Sequence, residues 1–246
     1  MKVLKIALCA ATATVSLGMA STALADTTVA WNAGIATDYI FRGIDQTSPI
    51  SEGEGFGGVD ISSGPAYGGV WLSNSGVSGQ KGFEYDIYGG YKPVVGAVTF
   101  DFGGIFYGYT TDSLPTHVVT SKADMFEFKA AATDAVGAGT IGGAVYYSPN
   151  FVGSADGSNS DSSVYGEVNA SYTFKNKASL SGAVGEQWFK KSIFSVSGYT
   201  TWNVGVTYPI TDHFSVDARY IGSSDDASKA NLFQFNGAVA TLKATF

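Results

Sequence analysis

The chain reads as about twelve stretches of roughly ten residues in which apolar and polar side chains alternate, joined by connections that are short and long in turn. A period of two belongs to strands whose two faces meet different surroundings. Ten residues is the length of strand that crosses a bilayer at the tilt of a barrel wall. Unequal connections on the two sides are the pattern of a transmembrane barrel, with short periplasmic turns and longer extracellular loops. The expected fold is therefore all-β, a 12-stranded antiparallel transmembrane β-barrel.

The first stretch is the clearest. One parity carries Val29, Trp31, Ala33, Ile35, Thr37, Tyr39 and Phe41, and the other Ala30, Asn32, Gly34, Ala36, Asp38 and Arg42, interrupted by Ile40. Trp31 and Tyr39 are about eight residues apart, roughly 26 Å at strand rise, close to the height of an apolar band with aromatic girdles at its rims. Trp31, Tyr39, Phe41, Trp202, Tyr208 and Phe246 are accordingly expected at membrane interfaces. Strands are expected over 28–43, 55–63, 66–74, 83–92, 96–109, 124–132, 139–148, 163–174, 177–189, 199–208, 212–221 and 235–246. Short turns then fall at Gly64-Pro65, at 93–95, 134–138 and 175–176, and at 209–211.

Residues 1–25 are expected to be a signal peptide rather than part of the fold. Lys2 and Lys5 precede an apolar run from Ile6 to Met19, and Ala23-Leu24-Ala25 fits a small-residue cleavage site. The run is short for a membrane anchor. The barrel domain would then be 26–246. Loss of the leader removes Cys9, the one cysteine, so neither disulfide framework nor zinc-type motif is available, and no cofactor is indicated. It also takes the net charge from −7 to about −9, which argues against nucleic acid as a partner.

A soluble sandwich or lipocalin-like barrel also alternates, but puts its large apolar residues inside. Here the polar faces are rich in Gly, Ser and Thr. A lipid hydrolase on the same fold would need a serine beside a histidine base. His213 falls at a short turn; His117, near Ser113 and Ser121, falls in a long loop with no evident third member. The string 156–161 could hold calcium only loosely, since it lacks the EF-hand order.

Several strings are similar to a bacterial family of porin-like outer-membrane proteins, often called the TorF type. Asp38-Tyr39-Ile40-Phe41-Arg42-Gly43-Ile44-Asp45-Gln46-Thr47 resembles its first-strand motif, with Asp45 in place of the usual Ser. Gly69-Val70-Trp71-Leu72-Ser73-Asn74, Tyr146–Phe151 and Tyr199–Tyr208 resemble further elements, so the likeness covers nearly all of the chain after the leader. It implies an outer-membrane barrel and a porin-like role, and it names no solute.

Parity places Asp38, Asp60, Glu84, Asp86, Asp101, Glu127, Glu167 and Asp217 on the polar face, with Arg42, Lys129, Arg219 and Lys243. A charge facing lipid at the midplane costs roughly 2–4 kcal/mol for Arg or Lys, so the lumen is the favoured side. Asp38 with Arg42, and Asp217 with Arg219, are expected internal pairs. An acidic constriction would favour small cations; a network of ion pairs bracing a filled interior is the equal alternative. The expected function is a narrow passive channel for small hydrophilic solutes with a weak cation preference. Its expected partners are outer-membrane lipids, the barrel-assembly machinery during biogenesis, and the solutes themselves. A structural or surface-interaction barrel is the main alternative.

Overall fold

The computed structural model describes residues 27–47, 53–77, 80–111, 124–151, 161–189, 196–229 and 232–246. The expected leader, His117, Ser113, Ser121 and the string 156–160 lie outside these residues. Twelve long strands follow one another around a closed wall. They are β1 (Thr27–Ala36), β2 (Glu54–Ser63), β3 (Ala66–Val77), β4 (Gln80–Tyr91), β5 (Val98–Thr111) and β6 (Met125–Val136), then β7 (Gly139–Phe151), β8 (Asp161–Thr173), β9 (Ser179–Phe189), β10 (Gly198–Pro209), β11 (Phe214–Ser223) and β12 (Asn236–Thr245).

Each strand pairs antiparallel with the next, and β12 returns to β1, from Asn32 opposite Thr245 to Ala36 opposite Thr241. Trp31 and Phe246 extend this seam by exchanging both backbone hydrogen bonds, at 3.0 and 2.9 Å. Closure leaves no unpaired edge, which an open sheet could not tolerate in hydrocarbon.

The packing is inverted relative to a soluble protein. The largest fully buried side chains are Gln187, Glu84, Glu127, Thr47, Asp101, Ser148 and Ser223, all polar. Val29, Ile35, Leu72, Ile141, Val168 and Val204 lie more than half exposed on the outside. An apolar belt this extensive marks a surface that does not face water.

The expected boundaries hold to within a few residues except at two places. The turn expected over 134–138 shrinks to Gly137-Ala138, because β6 and β7 stay paired to Val136 and Gly139. More consequentially, the strand expected over 28–43 ends at Ala36. Thr37 still donates its N–H to Ala240 at 2.9 Å, after which the chain leaves the wall. It folds into the barrel as a small hairpin, Ile40–Phe41 pairing with Ile44–Asp45. The two residues between them both take positive φ, Arg42 at 49° and Gly43 at 74°, the requirement of a type I′ turn.

Candidate lumen site

The inward hairpin organises the long-loop end of the lumen. Its apolar residues, Ile44 and Phe41, pack among inward-facing Tyr107, Tyr109, Met125, Phe151, Phe189 and Tyr199. Its backbone is tied to the last long connection: Asp45 N–H donates to Phe233 at 2.8 Å, and the Gly43 carbonyl accepts from Phe235 N–H and the Ser223 hydroxyl, both at 2.9 Å. A single helical turn, Asp226–Lys229, covers this region through the fully buried Ala227.

Arg42 is the centre of the hairpin's grip. Its guanidinium donates to both oxygens of Glu127, at 2.8 and 2.7 Å, and to Oε1 of Gln187 at 3.1 Å. It also lies over the rings of Tyr165, Phe41 and Tyr146, 4.2, 4.6 and 5.0 Å from their centroids. A left-handed backbone costs a non-glycine residue roughly 1–2 kcal/mol. Charge-assisted hydrogen bonds, each worth about 1.5–3 kcal/mol, offset that cost. The second grip is Tyr39, whose hydroxyl donates to buried Glu84 at 2.8 Å. The hairpin is braced from within by Thr47, which donates its hydroxyl to Asp38 at 2.6 Å and its N–H to Asp45 at 2.7 Å.

Two expectations change here. Arg42 does not pair with Asp38; it crosses to Glu127 on the opposite wall, and Asp38 is satisfied by Thr47. Tyr39 and Phe41 are not rim aromatics. They point into the barrel, Tyr39 at 4% exposure, with edge-on contacts to Trp71 at 5.6 Å and to Tyr107 at 5.8 Å respectively. The physical reason is the same for all of them: the strand geometry that assigned them faces stops at Ala36.

The remaining charges lie on the inward parity and are held in separate groups. Asp101 accepts from Lys129 at 2.7 Å and Tyr67 at 2.8 Å, with Lys92 at 4.0 Å. Asp60 accepts from Tyr88 at 2.5 Å and Asn32 at 3.4 Å. Glu167 accepts from Tyr165 and Asn169. Asp217 and Arg219 form the expected pair at 3.2 Å, and Arg219 also reaches Asn203 and Ser181. Lys243 is buried, and Asp86 opens on the cavity that these groups surround. Of the interior glycines, Gly90 and Gly103 lie beneath the Tyr67 ring, which a side chain at either would strike.

Of the other aromatics singled out, Trp31, Tyr208 and Phe246 are exposed on the outer face at 58%, 46% and 64%. Trp202 lies on the outward parity of β10, half-buried over Gly222 of β11. His213 bonds the Thr245 carbonyl at 2.9 Å and stacks on Phe246.

Beneath the hairpin lies a cavity of about 270 Å³, with Arg42, Phe41 and Gly43 forming part of its lining. Sequence reasoning missed three residues here. Lys92, read only as the end of a strand, lies over the Tyr67 ring at 4.1 Å. Gln187 is fully buried beneath Arg42, and Glu54 is buried against Ser73. Their inward parity was the available signal for the last two.

Fold and interior together define a closed antiparallel barrel with a polar lumen. The chain belongs to a family described as a bacterial protein of unknown function, Gcw_chp, whose model matches residues 20–246. No curated protein sequence matches it. Among solved structures it is similar to the porin NanC, at 8% identity over 89% of this chain and 99% of that one, with a TM-score of 0.57. It is also similar to an outer-membrane channel from Pseudomonas putida F1, at 10% identity over 92% and 96% of the two chains, with a TM-score of 0.52. The chain spans 62% of the length of a further porin, at 16% identity over 78% of its own length and a TM-score of 0.41.

Proposed function

We propose that the protein is a porin-like passive channel of the bacterial outer membrane for small hydrophilic solutes, its bore set by the inward hairpin. The observation that carries this reading is the pairing of an apolar outer belt with a polar interior that keeps a cavity of about 270 Å³ below the hairpin. A wall of twelve strands falls between the filled eight-stranded and the open sixteen-stranded cases, so a narrow bore is the physical expectation. The resemblance of the hairpin residues to the TorF-type motif, and the porin fold of the similar structures, support the same reading. Export by a leader and insertion by the assembly machinery belong to the proposal.

A weak cation preference is part of it. Glu54, Glu84 and Glu127 are buried around Arg42 at the long-loop end, and Asp86 faces the cavity, whose other charged lining is Asp60 and Glu167 with Arg42, Lys92, Lys129, Arg219 and Lys243. Rings of acidic side chains favour cations. Reversal potential in a potassium chloride gradient tests this, and anion selectivity would refute it.

A second reading is favoured by one observation. The hairpin's apolar residues and the Arg42–Glu127 pair fill the long-loop end of the lumen, as in a closed structural barrel. Planar-bilayer recordings separate the two. The channel reading expects small unitary steps from the parent protein and larger ones from Arg42→Gly, which keeps the positive-φ turn and removes the guanidinium. Folded barrels of both that give no steps would leave the structural reading standing.

A further inference from the structure

The geometry points to Asp86 as the binding point for the ammonium group of a small organic cation. Most lumen carboxylates accept from a side-chain donor: Glu127 from Arg42 and Tyr107, Asp101 from Lys129 and Tyr67, and Asp60 from Tyr88 and Asn32. Among the described residues no donor reaches Oδ1 of Asp86, although that oxygen is shielded from bulk solvent. Buried polar atoms without a partner are rare and call for an explanation such as an unseen ion or ligand. A cation brought against such a group would hold it in its ionised form.

The neighbours of Asp86 narrow the class of cation. In the wall it stands directly opposite Trp71 of β3 on one side and Tyr107 of β5 on the other. Residues facing each other across adjacent strands share a face and lie within about 5.5 Å at Cβ. All three line the same cavity. A carboxylate flanked by two inward aromatic rings is the arrangement that recognises ammonium groups, through charge and through the ring quadrupole. A strongly hydrated inorganic ion gains less from such rings. Of the five basic residues that line the same cavity, Arg42, Lys129 and Arg219 are held by Glu127, Asp101 and Asp217, while Lys92 and Lys243 reach it from the short-turn end. They would orient a solute bearing both charges with its ammonium group toward Asp86.

The site rests on the channel reading only in that the solute reaches the cavity from outside, and its test does not require conduction. Trp71 is the inward-facing one of four tryptophans; Trp31 and Trp188 are exposed, and Trp202, which borders the cavity, has its ring on the outward parity against Gly222. With those three replaced by Phe, choline chloride titrated into detergent-folded protein is expected to change Trp71 emission saturably. Asp86→Asn should raise the half-saturation point at least tenfold. The neutral isostere 3,3-dimethylbutanol should give no saturable change. Equal titrations of parent and Asp86→Asn overturn the proposal. So does a saturable response to the neutral alcohol, and so does a change that sodium chloride reproduces at the same concentration. Calorimetric titration of the unaltered chain and its Asp86→Asn variant makes the same comparison if the tryptophan-depleted protein does not fold. A barrel that conducts but ignores choline overturns this site alone; one that binds choline but never conducts overturns the channel alone.

Discussion

Arg42 and Glu127 stand 85 residues apart in sequence, yet they close a two-pronged ion pair through the middle of the barrel, at 2.7 and 2.8 Å, with both side chains at most 7% exposed. Removing one member of a buried pair strands the other charge and costs about 3–5 kcal/mol. Glu127→Gln and Arg42→Gly should each lower stability by that order in a guanidinium titration of the refolded barrel. The double variant should lose clearly less than the sum, since neither charge is then left alone. Additive losses would mean that the pair does not act as a unit.

The turn beside this pair depends on Gly43. Its φ is +74°, and an added Cβ would meet the Ser223 Cβ at 2.7 Å and the Gly222 carbonyl at 2.9 Å. Gly43→Ala should therefore undock the hairpin while the wall remains closed. Limited trypsin digestion reads this out. The buried Arg42 should resist cleavage in the parent and be cut in the variant, with β-sheet circular dichroism unchanged.

Asp101 has a reserve partner. Lys129 holds it at 2.7 Å, and Lys92 waits at 4.0 Å. Lys129→Met should consequently cost less than Arg42→Gly, because Lys92 can close on the buried carboxylate that Lys129 leaves. Lys129→Met with Lys92→Met should cost more than the two separate losses added together. A thermal or guanidinium series on the four proteins measures the difference.

Val168, at mid-strand in β8 and 65% exposed, tests what surrounds the wall. In lipid, Val168→Arg should cost about 2–4 kcal/mol, as basic residues do at the midplane. In water the same change would be nearly neutral. Urea titration of folding into phosphatidylcholine vesicles discriminates, and a cost near zero would count against a membrane-facing belt.

Much of the wall was legible because a barrel strand repeats one rule for ten residues. Val29, Trp31 and Ile35 turn outward as their parity requires, and Gln187, Glu84 and Asp101 turn inward. The hairpin was not legible for the same reason. Tyr39 and Phe41 continue the alternation of β1, and a short hairpin alternates just as a wall strand does. The one break in that alternation is Ile40; the turn itself is marked by the paired positive φ values of Arg42 and Gly43, and dihedrals are not written in hydropathy. The expected Asp38–Arg42 pair failed with the strand that suggested it. Its replacement by Glu127 depends on which strands face each other across the lumen, and parity along one strand carries no such information. The Asp217–Arg219 pair succeeded because both members sit two residues apart on one straight strand.

The inverted packing also sets where this chain can change length. Inserting one residue within a strand of period two sends every later side chain of that strand to the opposite face. In β8 that would turn Val168 inward and aim Glu167 at the outer belt. In most folds a slipped strand exchanges core for water, and a polar surface absorbs the error. Here one slip offends both surroundings at once, greasy side chains meeting the lumen and charges meeting the belt. Homologues of this chain should therefore vary in length almost entirely at the long connections, and their wall strands should differ by even numbers of residues where they differ at all.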